Sequence, residues 1–311
     1  MSDQTTSNST PTSTSTSASR RAVVLAVTFA APLAIVVALV LVLAGLGVVG
    51  VIIALVLAAA ATFAAFAASD AVVLRLSRAE PADPSEHARL HNLVEGLCIA
   101  NGLPKPQLFV IHDAAPNALV TGRNQQHAAV AVTTGLLEML DRVELEGVLA
   151  HELSHIKNDD IAADTLAVTT VGLVTVLADV CVRAKWSNGG RRGRQDPEGG
   201  SAPWLGAVGT AILAGSPLWA TLLQSGANPR RDTWADLAGA QMTRFPPGLI
   251  SALEKLDDDD TVVAASSRAT AHLWIAASLA RTDAEGELAA QNALFDTHPP
   301  LQERIATLRE L

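Results

Sequence analysis

Charge is missing from a long stretch of this 311-residue chain: between Ala22 and Ser69 there is no Asp, Glu, Lys or Arg. Roughly 20 apolar residues suffice to cross a bilayer, and this run is more than twice that length. Lysine is scarce as well, confined to Lys105, Lys157, Lys185 and Lys255, and the formal net charge is -9 with a pI of about 5.3. That balance argues against a nucleic-acid partner, which calls for a basic surface. Cysteine occurs twice, at Cys98 and Cys181, both in apolar surroundings. Two such thiols make no disulfide framework, and a reducing cytoplasm fits them. What the chain does have is apolar residues, 49% of the total, with a mean hydropathy of +0.30 that is high for a soluble enzyme. The excess is concentrated in a few segments.

Residues 1–20 read as a disordered Ser/Thr-rich tail with too little apolar surface to fold. Gly45, Gly47 and Gly50 punctuate the uncharged run near its middle. Residues 21–69 are therefore expected to form a transmembrane helical hairpin, with spans over 22–44 and 48–69. A cleavable signal peptide would need an apolar core of only about 7–15 residues. Arg20 and Arg21 precede the hairpin, Arg75 and Arg78 follow it, and its connecting turn is uncharged. Positive flanks stay inside, so the chain is expected in the cell membrane, multi-pass, with the domain over 70–311 in the cytoplasm.

Within that domain, Asp83-Pro84 is expected to open a helix with apolar Leu90, Leu93, Val94, Leu97 and Cys98, closed by Gly102. "PQLFVIH", "NALVT" and "AAVAVT" read as short strands separated by turn residues. A second apolar region, about 161–227, encloses a basic loop with Arg183, Lys185, Arg191, Arg192 and Arg194. Two spans there would put the basic loop outside, so the region reads as a hydrophobic hairpin insertion, buried in the protein or dipping into the membrane.

The chemistry is carried by "VLAHELSHIKN", Val148 to Asn158. Positions i and i+4 share a helix face, so His151 and His155 can offer two nitrogens to one metal ion. Glu152 falls beside the open coordination position, where it suits a general base that takes a proton from the attacking water. Asp141 and Glu144 make an N-terminal capping box for this helix. A third ligand is needed, and "NPRRDTWADLAGA" supplies Asp232 and Asp236, again four apart. One carboxylate can complete a zinc site while the other hydrogen-bonds a ligand histidine; the lesser alternative is that Asp232 is only a helix N-cap. His87 and His91 in "EHARLHN" form a rival pair, but no glutamate follows His87, and a solvated helix face is the simpler reading.

The blocks "PNALVTGRNQQHAAVAVTTGLLEMLDRVELEGVLAHELSHIKNDD", "RRDTWADLAGA" and "DTHPPLQERIATL", in that order, resemble the HtpX-type membrane-bound zinc metalloproteases. The resemblance covers roughly residues 20–311. It implies one zinc ion per chain, held by His151, His155 and a later carboxylate, with Glu152 as the base. The family's glutamate ligand is replaced here by Asp232, one methylene shorter, and its usual tyrosine by Thr233. Asp236 matches the family's "AD" aspartate, which implies contact with a ligand histidine. Asn117 and Ala118 match the edge-strand segment that lines the substrate cleft, where an extended peptide can add a strand. His298 matches the "HPP" block and is either a transition-state stabiliser or part of a turn before the last helix.

The resulting fold class is α+β, mainly helical: a zinc-peptidase domain with a small strand region, preceded by a two-helix transmembrane hairpin. The expected function is a membrane-anchored zinc endopeptidase that cleaves unfolded or damaged membrane proteins in quality control. Its partners would be protein substrates and the lipid bilayer, with no nucleic acid. A CAAX-prenyl endopeptidase shares the chemistry but needs many more spans. The alternative from another class is a catalytically weakened homologue acting as a membrane-bound scaffold.

Overall fold

The computed structural model describes residues 47–158, 161–162, 165, 230–266, 270–276 and 298–311, with isolated positions at 34 and 38. Among these are eight α-helices and four strands, the mainly helical α+β mixture that the sequence suggests. The tail over 1–20, the first expected span over 22–44 and nearly all of the 161–227 insertion, with its basic loop and Cys181, lie outside the described residues.

Helix α1 is Gly47–Ala67, 21 residues without a charge. Over the residues whose side chains are described, no helix is long and apolar enough to cross a membrane, so the expected hairpin is not seen as such. A short helix, α2 (Ser69–Leu76), follows. Helix α3 spans Ala88–Asn101 and buries Leu90, Leu93, Val94, Leu97 and Cys98, ending at Gly102 in the left-handed region (φ 67°). Its start corrects the expected opening at Asp83-Pro84. The Asp83 carboxylate accepts from the Ser85 amide at 2.7 Å, and the Asp83 carbonyl accepts from the His87 amide at 2.8 Å. That separate turn precedes the helix proper.

The sheet runs β1 (Glu80–Pro81), β2 (Gln107–Ile111), β4 (His127–Thr133), β3 (Ala118–Asn124) in spatial order. β2 and β4 are parallel, whereas β3 and β4 form an antiparallel hairpin. At its turn the Asn124 side chain accepts from the amides of Gln126 and His127. Gly122 has φ 149°, and a Cβ there would lie 2.3 Å from the His127 carbonyl, so the bulge before the turn requires glycine. Strand alternation sends Leu108, Val110, Ala118, Val120 and Val130 into the main core, and Ile111, Leu119 and Ala131 into a second core with Val73, Val263 and Trp274.

A six-residue helix, α4 (Thr134–Met139), is capped by the Thr133 hydroxyl. Helix α5 (Arg142–Lys157) then crosses the main core. Asp141 and Glu144 form the capping box, and Glu144 also accepts from Ser251 at 2.7 Å and Lys255 at 2.6 Å. Burial pushes the Glu144 carboxyl up, but Lys255, Ser251 and the Asp141 amide outweigh it and hold it below its ordinary value. From Leu145 to Ile156 nearly every α5 side chain is buried. A helix buried on all sides needs close neighbours, and α6 (Arg230–Thr243) and α7 (Pro246–Asp257) provide them. A Cβ at Gly239 of α6 would sit 2.9 Å from the His151 amide nitrogen, so glycine there lets α6 lie directly against the histidines. Helix α8 (Leu301–Arg309) closes the described fold.

Candidate functional site

The two helices pressed together at Gly239 carry the polar centre. His151 and Glu152 are each only 2% exposed, although α5 is otherwise an apolar core helix. The Nε2 atoms of His151 and His155 face each other at 3.3 Å, with the rings edge to face. Two nitrogens on one tetrahedral zinc, each bonded at roughly 2.0–2.1 Å, lie about 3.3–3.4 Å apart. Asp232, from the first turn of α6, brings Oδ1 to 4.0 Å from His155 Nε2. One ligand atom from each of His151, His155 and Asp232 can be chosen so that all lie within 4.8 Å of one another, and all three residues are buried. The carboxylate of Asp232 faces these rings and accepts from His298 Nδ1 at 2.7 Å. The carboxylate is thus turned toward the histidines, where a ligand arm would have to reach.

Asp236, one turn further along α6, accepts from His151 Nδ1 at 2.7 Å. This bond places the proton on Nδ1 and leaves Nε2 as a lone pair directed at the centre. Asp236 is in turn gripped by Arg304 of α8, whose Nε and Nη2 each donate to one carboxylate oxygen at 2.8 Å. Arg304 is 1% exposed. Burial works against its charge, yet Asp236 beside it outweighs that and raises its pKa. Burial likewise pushes the Asp236 carboxyl up, while Arg304 and then His151 bring it down to about 2. The same contest at Asp232 is won by His298 and Arg304, which hold it well below the carboxylate range.

His155 is held well below its ordinary value by burial, with the charges of His151 and Arg231 adding to it. It is therefore neutral, the form that binds a metal. Burial pushes the Glu152 carboxyl up to about 8, against the pull of Arg304. A group in that condition is protonated at neutral pH unless a cation sits beside it; a dication reverses such logic. A neutral His155, the His151 ring held through Nδ1 by Asp236, a charged aspartate and a desolvated glutamate around one small cavity fit a divalent ion. The cavity is about 20 Å³, and Val120, Glu152, Arg231, His272, Leu273 and His298 are among its walls. That volume holds a water-sized guest and little more.

The rival histidine pair stays away from the centre, in keeping with its simpler reading, and the predicted site residues come together with one exception. His87 lies at the N-terminal cap of α3 and His91 bonds the Ala82 carbonyl at 2.9 Å, so that pair faces no common centre. Asn117 and Ala118 do lie at the head of β3, but the edge expected to be open to a peptide is covered. Ile275 donates to the Ala118 carbonyl at 2.9 Å, and the Asn117 side chain bonds both polar backbone atoms of Ala276. Arg304 is the residue that sequence reading missed. A signal existed: Leu301, Ile305 and Leu308 mark the apolar stripe of α8, and Arg304 sits inside that stripe. Arg304→Met leaves Asp236 buried without its partner, so it is expected to cost about 3–5 kcal/mol of folding free energy. Urea unfolding of the two proteins measures this, and a loss below about 1 kcal/mol, the scale of an exposed pair, contradicts the buried clamp.

Residues 84–311 match the model of peptidase family M48. A protease HtpX homolog of Thermoanaerobacter pseudethanolicus is 40% identical over 243 residues, 78% of each chain. A protein of the same name from Tropheryma whipplei is 39% identical over 244 residues, 78% of this chain and 79% of its own. Another from Desulfatibacillum aliphaticivorans reaches 43% over 244 residues, 77% of this chain and 74% of its own.

Proposed function

The chain belongs to peptidase family M48 and is an HtpX-type peptidase; from that premise we propose that it is a membrane-anchored zinc-dependent endopeptidase of unfolded or damaged membrane proteins. The observation that carries the zinc reading is the buried meeting of His151, His155 and Asp232 within 4.8 Å, with Glu152 on the same cavity wall. Bound there, zinc supplies a Lewis acid that polarises the scissile carbonyl and acidifies water. The protein's own groups do the rest. Glu152 takes the proton of the attacking water and hands it to the leaving amine. Asp236, braced by Arg304, keeps His151 in the tautomer that offers Nε2. His298 fixes the Asp232 carboxylate through Nδ1, and it also lines the cavity, which supports its reading as the stabiliser of the oxyanion. Asp232 reaches the histidines despite its short arm, which weighs against the weakened-scaffold alternative.

Membrane anchoring draws support from α1. Its uncharged residues continue the uncharged run that begins at Ala22, and that run as a whole exceeds the roughly 20 residues needed to cross a bilayer. Val48, Val51, Ile52, Ile53, Val56 and Leu57 are all exposed and spread over more than half of the circumference of α1, and a helix apolar all round belongs in a core or a membrane. Arg75 and Arg78 follow it, which favours a cytoplasmic catalytic domain.

Casein cleavage by the detergent-purified chain should cease on chelation and return with zinc; cleavage that survives full metal removal sinks the zinc reading. Topology is tested separately, by labelling cysteines placed at Ser15 and Ser187 from outside intact cells, in a background lacking Cys98 and Cys181. Neither should react. Label at position 15 overturns the hairpin, and label at 187 alone means that the 161–227 region spans.

A further inference from the structure

In a peptidase that binds its substrate as an added strand, the outer edge of β3 is the backbone the substrate needs. Here the chain's own segment lies on it. Trp274 bridges Leu119 in antiparallel register, and Ile275 donates to the Ala118 carbonyl. Asn117 behaves as a surrogate peptide unit: Nδ2 donates to the Ala276 carbonyl at 3.2 Å, and Oδ1 accepts from the Ala276 amide at 3.3 Å. Continuing the register carries Leu273 and His272 over the cavity, and both are among its walls. The roof they make explains why the centre holds room for a water and not for a polypeptide.

We propose that residues 272–276 are a built-in occupant of the substrate's strand, holding the peptidase latent until an extended polypeptide with a bulky apolar side chain displaces them. The inference rests on the peptidase reading above and adds what the site must release and what it selects. The contacts described above between the segment and β3 are made to its main chain, so any extended chain can make the same contacts. Arg304 Nη1 donates to the Ile275 carbonyl at 2.7 Å, and an incoming carbonyl can take that donor in its place. Selectivity comes from Trp274, the largest side chain of the segment, which is fully buried in the second core with Ile111, Leu119, Ala131 and Val263. A substrate must refill that space with something large and apolar, as segments of an unfolded membrane protein can. The hold is also incomplete: the segment contributes one isolated bridge in place of a ladder, and among the described residues the buried Trp274 indole N–H has no acceptor. A buried donor left unmet costs free energy, which favours displacement.

Hydrogen exchange on zinc-loaded Glu152→Gln protein tests the displacement with the segment's own sequence intact. With unfolded β-casein bound, amides of residues 270–276 should exchange about tenfold faster or more, because binding opens the segment. Casein bound with those amides as protected as before overturns the proposal. Trp274→Ala, at matched folding by circular dichroism, should cleave a short apolar peptide about fivefold faster or more, since activity rises as the competent fraction rises. The synthetic peptide Thr-Ala-His-Leu-Trp-Ile-Ala, matching 270–276, should inhibit that variant competitively. Unchanged or lower activity in folded Trp274→Ala overturns the proposal. If neither the wild type nor Trp274→Ala cleaves any peptide, the peptidase reading itself fails and this inference fails with it.

Discussion

Glu152→Gln is expected to end peptide cleavage while leaving the metal bound. The amide has the shape of the carboxylate but cannot take a proton, so it removes the proposed base and no proposed ligand. The loss should be roughly 10²–10⁴-fold or more in rate, equivalent to about 3–5 kcal/mol of barrier. The fold should tolerate the change, because burial pushes this carboxyl up to about 8 and a neutral amide is no harder to bury than the protonated carboxyl. Casein cleavage followed on gels, beside elemental analysis of the same preparation, gives both readouts. A variant that keeps more than a third of wild-type cleavage would remove Glu152 from the mechanism.

Asp232→Ala should lose metal and activity together if the proposed ligand set is right. Its carboxylate is the anionic partner of the two imidazoles, and nothing else in the described cavity replaces it: Asp236 is engaged by His151 and Arg304. Asp232→Glu should retain both metal and activity, with the added methylene taken up by the His298 contact. Asp236→Ala is the informative contrast. It should weaken zinc by about 10–100-fold without emptying the site, as losses around a ligand histidine do. Elemental analysis of the three variants, with folding matched by circular dichroism, separates the cases. A zinc-loaded, active Asp232→Ala protein would transfer the ligand role elsewhere, with Asp236 the first candidate.

Much of this site was legible in the sequence because its strongest signals are local. The i, i+4 histidines, the capping box at Asp141 and Glu144, and the alternation in "PQLFVIH" and "AAVAVT" each declare themselves within a few residues. The start of α3 was misplaced because Asp83 can begin either a helix or the separate turn it makes, and a single sequence does not rank the two. Arg304 escaped because its meaning depends on Asp236, 68 residues earlier in the chain. The occupied edge of β3 was invisible for a similar reason: "HLWIA" has no ladder of its own, and its pairing is decided by the pocket that Trp274 fills.

The clamp from Arg304 to Asp236 also sets a schedule. The histidines, the aspartates, His298 and Arg304 leave the ribosome in that order, and α8 comes last among the described helices. At roughly 5–20 residues per second, the interval between His155 and Arg304 is on the order of ten seconds. For that time the growing chain carries its histidines without the arginine that braces them through Asp236. A protease still being made is thus poorly set to cut its own unfolded remainder, or the chain emerging from the next ribosome.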